Sequence, residues 1–448
     1  MKITLQNNNY DTMLEASDWR FSAAIVGLMQ YLDYHDLNYK IEEDSIYYNS
    51  EDINEEKYLE FVEYKYGEEL HHKVIENIIS NDEISEEQVK IVNEKLSANT
   101  IMKKKFNKIK FDGTNREEIL SVINENRNEI IRETFRSKSN MYANYANTNQ
   151  LFNDSQDYCR LLGYCIDVGK KGKSTGFNFS TSNFVGQDER ELDFIPFAFE
   201  GNREAFFIND NYTIKRLKIS NETLRRKIKS DIDESNKGKD IRKIFFKGII
   251  ESTDFIDRDV EVIFKDRDKG YFETLYIRKE SVDILKKFKD EKIEYSAFCF
   301  FHKVTENYRI NVQKKVIEAI LNNLLLDEVI ELFLKEKGRD YLVNQLIKIN
   351  LLIRRESNMK DKLKGAFACA KQVANVIENN KIESYRQKLT SSIIFKDYDR
   401  VCQILLQLSN YSGVEFGFVY DLFDDFENNK DLAYTFINAL SKNADKNN

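Results

Sequence analysis

Residues 17–28 of this chain read Ser-Asp-Trp-Arg-Phe-Ser-Ala-Ala-Ile-Val-Gly-Leu, and Trp19 within them is the only tryptophan among 448 residues. The first two residues are types that cap helix N-termini. Apolar side chains follow at helical spacing, at Phe21, Ile25, Leu28, Met29 and Leu32. A neighbouring strip carries small residues that leave space for another element to pack closely: Ala23, Ala24 and Gly27. The stretch therefore predicts a buried N-terminal helix over residues 18–37.

The length and composition predict a protein of more than one domain. A chain of 448 residues is longer than a single hydrophobic core usually supports, and 41% hydrophobic content is sufficient for packed cores. The charge is uneven, because residues 1–100 contain 8 Lys and Arg against 22 Asp and Glu, whereas residues 335–400 contain 15 against 8. With a net charge of −8, this distribution argues against indiscriminate nucleic-acid binding but permits a local surface that faces phosphates.

The cysteines and histidines show no pattern typical of a metal site or a disulfide framework. The five cysteines include no C-x-x-C pair, and the four histidines lack the spacing of metal ligands. No apolar run reaches the roughly 18 residues that a membrane-spanning helix needs, and no signal peptide is recognisable. We therefore expect reduced thiols, no metal, no cofactor, no membrane association and a cytoplasmic location.

Hydrophobic periodicity divides the chain into three predicted domains. Helical patterns with one short hairpin predict a mixed, mostly helical region over residues 1–137. A central β-rich region is predicted over residues 138–308, because from about residue 190 to residue 304 the period changes to two, which predicts a hairpin over residues 192–208 and a further strand over residues 295–304. Successive helical stripes predict a bundle of five or six helices over residues 309–448. The predicted fold class is α+β, with an N-terminal α/β region and a central antiparallel β-sheet, followed by a C-terminal all-helical bundle that folds separately.

Two polar segments of the central region are candidates for nucleic-acid contact. Residues 169–175 form a lysine-rich loop, but Asp167 stands where the phosphate-binding loop of nucleotide hydrolases requires glycine. We expect this loop either to contact a nucleic-acid backbone or to be an ordinary solvated loop. An Asn- and Tyr-rich segment precedes it, and Asn side chains can pair with base edges. The candidate DNA-binding residues are Lys170, Lys171, Lys173, Ser174, Thr175, Asn178, Asn144, Asn147 and Asn149.

Basic residues recur on successive helices of the predicted bundle or at their junctions. If the helices pack antiparallel, some of these side chains would share one surface that faces phosphates; the alternative is a solvated charged face without a ligand. The candidates for contact with a displaced DNA strand or a nucleic-acid backbone are Arg354, Arg355, Lys360, Lys362, Lys364, Arg386, Lys388, Lys396 and Arg400.

An acidic cluster suggests an alternative function, that of a metal-dependent nuclease. Its carboxylates are Glu251, Asp254, Asp257, Asp259 and Glu261. The E-x-K sequence expected downstream in that class of nuclease is missing, because Val262 and Ile263 follow Glu261, so a solvated turn is the favoured interpretation. A second alternative is a protein-interaction scaffold without nucleic-acid binding, which would use the acidic first hundred residues and the bundle.

Both ends of the chain resemble one protein family. Residues 18–28 resemble the first helix of the large subunit of type I CRISPR Cascade effector complexes, in the I-A/I-B lineage, where a polar residue and an aromatic residue precede small residues and Gly-Leu. Residues 381–418, with Lys-Ile-Glu-Ser-Tyr-Arg at 381–386 and Asp-Arg-Val-Cys-Gln-Ile-Leu-Leu at 399–406, are similar to the helical end of that family. The paired C-x-x-C zinc motifs of one branch are absent, so the resemblance is to a zinc-free branch.

The resemblance implies a role in antiviral defence without catalysis. The large subunit of such complexes recognises the protospacer-adjacent motif in duplex DNA, supports duplex opening to an R-loop and recruits the helicase-nuclease, while guide pairing reads the target sequence. Its helical end resembles the small subunit. The implied partners are crRNA, target double-stranded DNA, the backbone and foot subunits of Cascade, the small subunit and the helicase-nuclease.

Overall fold

The computed structural model describes residues 1–6, 9–153, 159–162, 188–201, 204–234, 241–251, 255–355 and 358–441. The chain divides into two compact units: unit 1 consists of residues 1–245 and 260–276, and unit 2 consists of residues 246–259 and 277–448. The three domains predicted from the sequence, with boundaries after residues 137 and 308, stay a prediction.

Unit 1 combines helices with two four-stranded sheets. The first sheet has the spatial order β1-β2-β4-β3, with antiparallel neighbours, and consists of β1 (Lys2–Thr4), β2 (Thr12–Glu15), β3 (Lys40–Glu42) and β4 (Ser45–Tyr48). The second has the order β5-β6-β7-β8 and consists of β5 (Glu200–Gly201), β6 (Glu204–Asn209), β7 (Val260–Asp266) and β8 (Phe272–Ile277). The helices are α1 (Trp19–Tyr34), α2 (Glu55–Tyr66), α3 (His71–Ile79), α4 (Glu86–Leu96), α5 (Thr100–Phe106), α6 (Arg116–Ser137), α7 (Tyr142–Tyr145), α8 (Ile195–Ala198), α9 (Ile214–Glu234) and α10 (Ile241–Glu251), the last of which ends in unit 2.

Helix α1, predicted from the opening stretch, lies in the core of unit 1. The Asp18 carboxylate caps it by accepting hydrogen bonds from the backbone N–H groups of Arg20 and Phe21, at 2.8 and 3.3 Å. Thirteen of its sixteen residues are buried, so the helix is enclosed on nearly every side. A Cβ atom on Gly27 would lie 2.0 Å from the carbonyl oxygen of Phe194, so only glycine permits this approach. The close packing predicted from the small residues is confirmed.

Two segments predicted as strands are helical in whole or in part. Residues 192–199, expected as the first half of a hairpin, form a 3-10 helix over Arg190–Phe194 and then α8. Pro196 fits the first turn of α8, where its missing N–H is not needed. Residues 295–304 hold a 3-10 helix and only a three-residue strand. For residues 191–199 the physical reason is burial: they are buried on all sides, and a continuous apolar run fits a strand and a helix equally well.

A buried ion cluster in unit 1 joins the residues on either side of 163–187. The Arg160 guanidinium lies 3.0 Å from Asp188 and 2.7 Å from Asp193, with all three side chains fully buried. The Tyr142 hydroxyl donates a further hydrogen bond to Asp193 at 2.6 Å. Burial raises the pKa of Asp193, and the charge of Arg160 opposes that effect. Because a buried charge without its partner is strongly destabilising, this cluster fixes the chain at both ends of that segment.

Unit 2 is built mainly from helices, with one antiparallel hairpin of β9 (Phe301–Lys303) and β10 (Arg309–Asn311). The α+β class predicted from the sequence is confirmed. Within the described residues, no helix is both long and apolar enough to cross a membrane. The further helices of the unit are α11 (Lys279–Asp290), α12 (Val312–Asn322), α13 (Asp327–Leu334), α14 (Asp340–Arg354), α15 (Met359–Val376), α16 (Asn379–Ile394), α17 (Tyr398–Ser412), α18 (Val419–Asp424) and α19 (Phe426–Ala439).

Candidate nucleic-acid interface

Six of the nine basic residues predicted on the bundle are paired with carboxylates of unit 2. Arg354 is only 10% exposed and lies 3.4 Å from the fully buried Asp431. Arg386 lies 2.7 Å from Asp340. These two residues therefore contribute to packing. The other four pairs are more exposed and contribute little to stability: Arg355–Glu280, Lys360–Glu291, Lys362–Asp421 and Lys364–Asp361.

The other three predicted cations lie around the turn between α16 and α17. Lys388 is on α16, Lys396 is in the turn, and Arg400 is in the first turn of α17. Lys388 contacts the ring of Tyr385 at 5.7 Å, and Arg400 donates a hydrogen bond to Gln403 at 3.2 Å. Among the described residues, none of these three cations has a carboxylate within ion-pair distance. Their charge is therefore available to an anionic ligand.

The turn itself is a Schellman motif that exposes an aromatic ring. The N–H of Asp397 donates to the Ser392 carbonyl and the N–H of Lys396 to the Ile393 carbonyl, while Lys396 adopts a positive φ of 58°. This geometry ends α16 and leaves Phe395 at the C-cap, where its side chain is 80% exposed. Phe395 is not among the residues predicted from the sequence. The signal available there was an aromatic residue next to Lys396, within the predicted helical bundle.

A cavity of about 330 Å³ lies beside Phe395 and is lined by three cations, Lys335, Lys337 and Arg386, and by two acids, Glu336 and Glu383. Lys337 and Arg386 are paired with carboxylates, so Lys335 is the cation of this cavity without an ion-pair partner among the described residues. Thr390 also lines it, and its buried Oγ1 has no hydrogen-bond partner in the part of the chain that the structure describes. Exposed aromatic rings with neighbouring cations are the combination that binds single-stranded nucleic acid, because bases stack on the ring while cations contact phosphates. We call this group the Phe395 surface, defined by Lys335, Lys388, Phe395, Lys396 and Arg400.

The DNA-binding candidates of unit 1 are placed differently. Asn144 is buried, and its Nδ2 has no hydrogen-bond partner among the described residues. The Asn147 side chain accepts a hydrogen bond from the N–H of Asn149 at 3.2 Å, which caps a short 3-10 helix. Asn147 is half-buried and Asn149 is exposed, so these two, unlike Asn144, are accessible to a base edge. The remaining candidates lie outside the described residues: Lys170, Lys171, Lys173, Ser174, Thr175 and Asn178.

Three of the five carboxylates of the nuclease alternative have separate structural partners, and Glu251, the last residue of α10, is exposed. Glu261 accepts a hydrogen bond from Asn209 at 2.7 Å, and Asp259 accepts one from the backbone N–H at the start of α11, also at 2.7 Å. Asp257 pairs with Arg258, and Asp254 lies outside the described residues. In the described part of the chain, no three His, Cys, Asp or Glu side chains are grouped so that they could hold a metal ion.

Comparison with known proteins gives one family match. The model of a family described as CRISPR-associated protein Csx8 matches residues 10–440, a range that includes the Phe395 surface. No curated protein matches the chain, and no solved structure matches it.

Proposed function

Because the chain belongs to the Csx8 family of CRISPR-associated proteins, we propose that it is the non-catalytic large subunit of a CRISPR RNA-guided DNA surveillance complex. The family match over residues 10–440 carries the proposal, since it supports a Cascade-type subunit. The proposed role is to recognise the protospacer-adjacent motif, support duplex opening and recruit the helicase-nuclease. Its proposed partners are crRNA, target duplex DNA, and the backbone, foot and small subunits of a complex of the I-A/I-B lineage.

The Phe395 surface supports a contact with the displaced DNA strand. An exposed ring that stacks on a base contributes about 1–3 kcal/mol, and this contribution does not depend on the base because every base has a π-face. The four cations of the surface add contacts to phosphates without reading sequence. Such a surface suits a strand whose sequence differs at every target.

The test uses the assembled complex, with guide RNA and all subunits, on a target duplex. We expect Phe395→Ala combined with Lys396→Ala to weaken target binding about tenfold, since one stacking contact and one phosphate contact are lost. The displaced strand should also become more reactive to permanganate. Tyr420→Ala is the matched control, because Tyr420 is 73% exposed but lies beside acidic residues of α18. Unchanged affinity and reactivity in an intact complex would argue against the assignment.

The lysine-rich residues 169–175, which lie outside the described residues, are proposed to contact the duplex beside the target. Changing Lys170, Lys171 and Lys173 together to alanine should weaken binding to target duplex and reduce its salt dependence. The matched control is the three-lysine run at residues 103–105 of α5, changed in the same way. Equal gel-shift affinities of the two variants, with the complex intact, would show that these lysines do not contact the duplex.

A separate assay tests the proposal that the protein is not catalytic. The isolated protein with magnesium should show no cleavage of nucleic acid.

A further inference from the structure

A groove of about 750 Å³ runs along the surface of unit 2, away from the predicted nucleic-acid residues of α16 and α17. One face of α11 lines it from residue 280 to residue 291, and one face of α14 with its C-cap lines it from residue 344 to residue 355. On both helices the lining residues recur at intervals of three and four. The groove therefore follows three helical turns, or about 17 Å.

The groove is lined mainly by apolar side chains. Ile284 of α11 and Ile347 and Leu351 of α14 are buried beneath it, and Leu363 of α15 is half-buried. Phe367 of α15 is 45% exposed at the edge. Three helices thus turn one face each toward a common channel, which is the arrangement that receives a further helix in a helical bundle.

The two long edges of the groove carry opposite charge. The α11 edge has one lysine and four acids: Glu280, Asp283, Asp290 and Glu291. The facing edge, from α14 and α15, has four cations and no acid: Lys348, Arg355, Lys360 and Lys364. Ion pairs between the edges, Arg355–Glu280 and Lys360–Glu291, stand at the two ends of the α11 face. These two pairs and the pair Lys364–Asp361 leave Asp283 and Asp290 on one edge and Lys348 on the other without an ion-pair partner among the described residues. The acidic edge would repel a nucleic-acid backbone, whereas a protein segment with charges of both signs complements both edges.

A buried polar atom in the groove has no hydrogen-bond partner among the described residues. Asn438 of α19 is 8% exposed, and its Nδ2 donates to the Asp340 carbonyl at 2.8 Å. Its Oδ1 lacks a donor within the part of the chain that the structure describes. Asn438 therefore ties α19 to the start of α14 beneath the groove, and its enclosed Oδ1 does not reach a ligand.

We propose that this groove binds an amphipathic helix of a partner protein, about three turns long. Its apolar stripe packs on α11, α14 and α15, its basic edge faces the acids of α11, and its acidic edge faces the cations of α14 and α15. Since turning a helix end for end exchanges its edges, the charges of the groove also fix the direction in which the helix lies. This site is separate from the nucleic-acid function proposed above.

The test measures fluorescence anisotropy with the full chain and three labelled synthetic helical peptides that share one leucine stripe. The first peptide has lysines on one edge and glutamates on the other, the second has lysines on both edges, and the third has glutamates on both. We expect saturable binding of the first peptide, about tenfold tighter than either control. Phe367→Ala should weaken that binding about tenfold, whereas Tyr420→Ala should not change it.

Reversing the charge of the basic edge tests the proposal more strictly than the alanine variant does. Arg355→Glu combined with Lys364→Glu makes both edges acidic, so the peptide with two lysine edges should become the tightest of the three. Equal binding of all three peptides, no saturable binding, or displacement of the first peptide by a single-stranded oligonucleotide would overturn the proposal. A dimer of the chain that Phe367→Ala dissociates in analytical ultracentrifugation would also overturn it, by assigning the groove to a second copy. None of these measurements requires guide RNA or target DNA, so they do not depend on the proposed function.

Discussion

Two glycines within helices respond to the same substitution in opposite ways. Gly27→Ala should destabilise unit 1 by about 3 kcal/mol, because the new methyl group would overlap the Phe194 carbonyl and force α1 away from it. Gly365→Ala in α15 should stabilise the protein by roughly 0.5–1 kcal/mol, since nothing lies within 4 Å of its Cβ position and alanine favours the helix. Urea unfolding followed by circular dichroism measures the change in the free energy of unfolding for both variants. A neutral Gly27→Ala would show that the close approach is not required.

Glu63 makes the stability of unit 1 sensitive to acid. Burial favours its neutral form, but the hydrogen bond with His72 and the charges of Arg127 and Lys73 outweigh burial and lower its pKa to about 2. Since its pKa without these contacts is 4.5, ionised Glu63 stabilises the fold above about pH 4.5, and that stabilisation is lost as the pH falls toward 2.

The corresponding variant is Glu63→Gln, which should lower the free energy of unfolding by about 1–3 kcal/mol at pH 7. The difference from the unsubstituted protein should shrink as the pH falls toward 3. Fluorescence of Trp19 reports on unit 1 directly, because it is the chain's only tryptophan and packs against Phe272 at 4.8 Å. The exposed Glu87→Gln serves as control. A difference that does not vary with pH would contradict the assigned pKa.

At the scale of elements, α11 belongs to the helical unit although it precedes the predicted bundle. The Ser281 hydroxyl donates to the Ile320 carbonyl of α12 at 3.1 Å, and Leu285 and Phe288 are buried. A fragment of residues 277–448 should therefore unfold at a higher urea concentration than a fragment of residues 310–448. The shorter fragment should also bind more of a dye specific for exposed apolar surface. Identical unfolding curves would show that α11 contributes nothing to the bundle.

At the scale of the molecule, two units in one chain predict unfolding in more than one step. Trp19 reports only on unit 1, whereas far-ultraviolet circular dichroism is sensitive to the helices of both units. We expect the fluorescence and circular dichroism curves to have different midpoints in urea. Glu63→Gln should shift the fluorescence curve further than the circular dichroism curve. Superimposable curves for the unsubstituted protein would indicate a single cooperative transition.

The sequence by itself determined the elements whose pattern is local. A capping aspartate and an apolar stripe predicted α1, and stripes at helical spacing predicted the helices of the bundle, because a helix with one buried face must repeat every 3.6 residues. It also offered Lys388, Lys396 and Arg400 as candidates for contact with a nucleic acid, since the positions of basic residues are known from the sequence alone.

Only the tertiary structure decided what depends on distant neighbours. Residues 191–199 are buried on all sides, so their sequence lacks the alternation of apolar and polar residues that would distinguish a helix from a strand. The neutralisation of Arg354 by Asp431, far along the chain, and the exposure of Phe395 are likewise set by packing. The groove exists only because α11, α14 and α15 pack side by side. The acids of one edge and the cations of the other belong to different helices, so no single stretch of sequence shows that they face each other. The charge, exposure and shape of a surface depend on residues that are far apart in the sequence, and only folding brings those residues together.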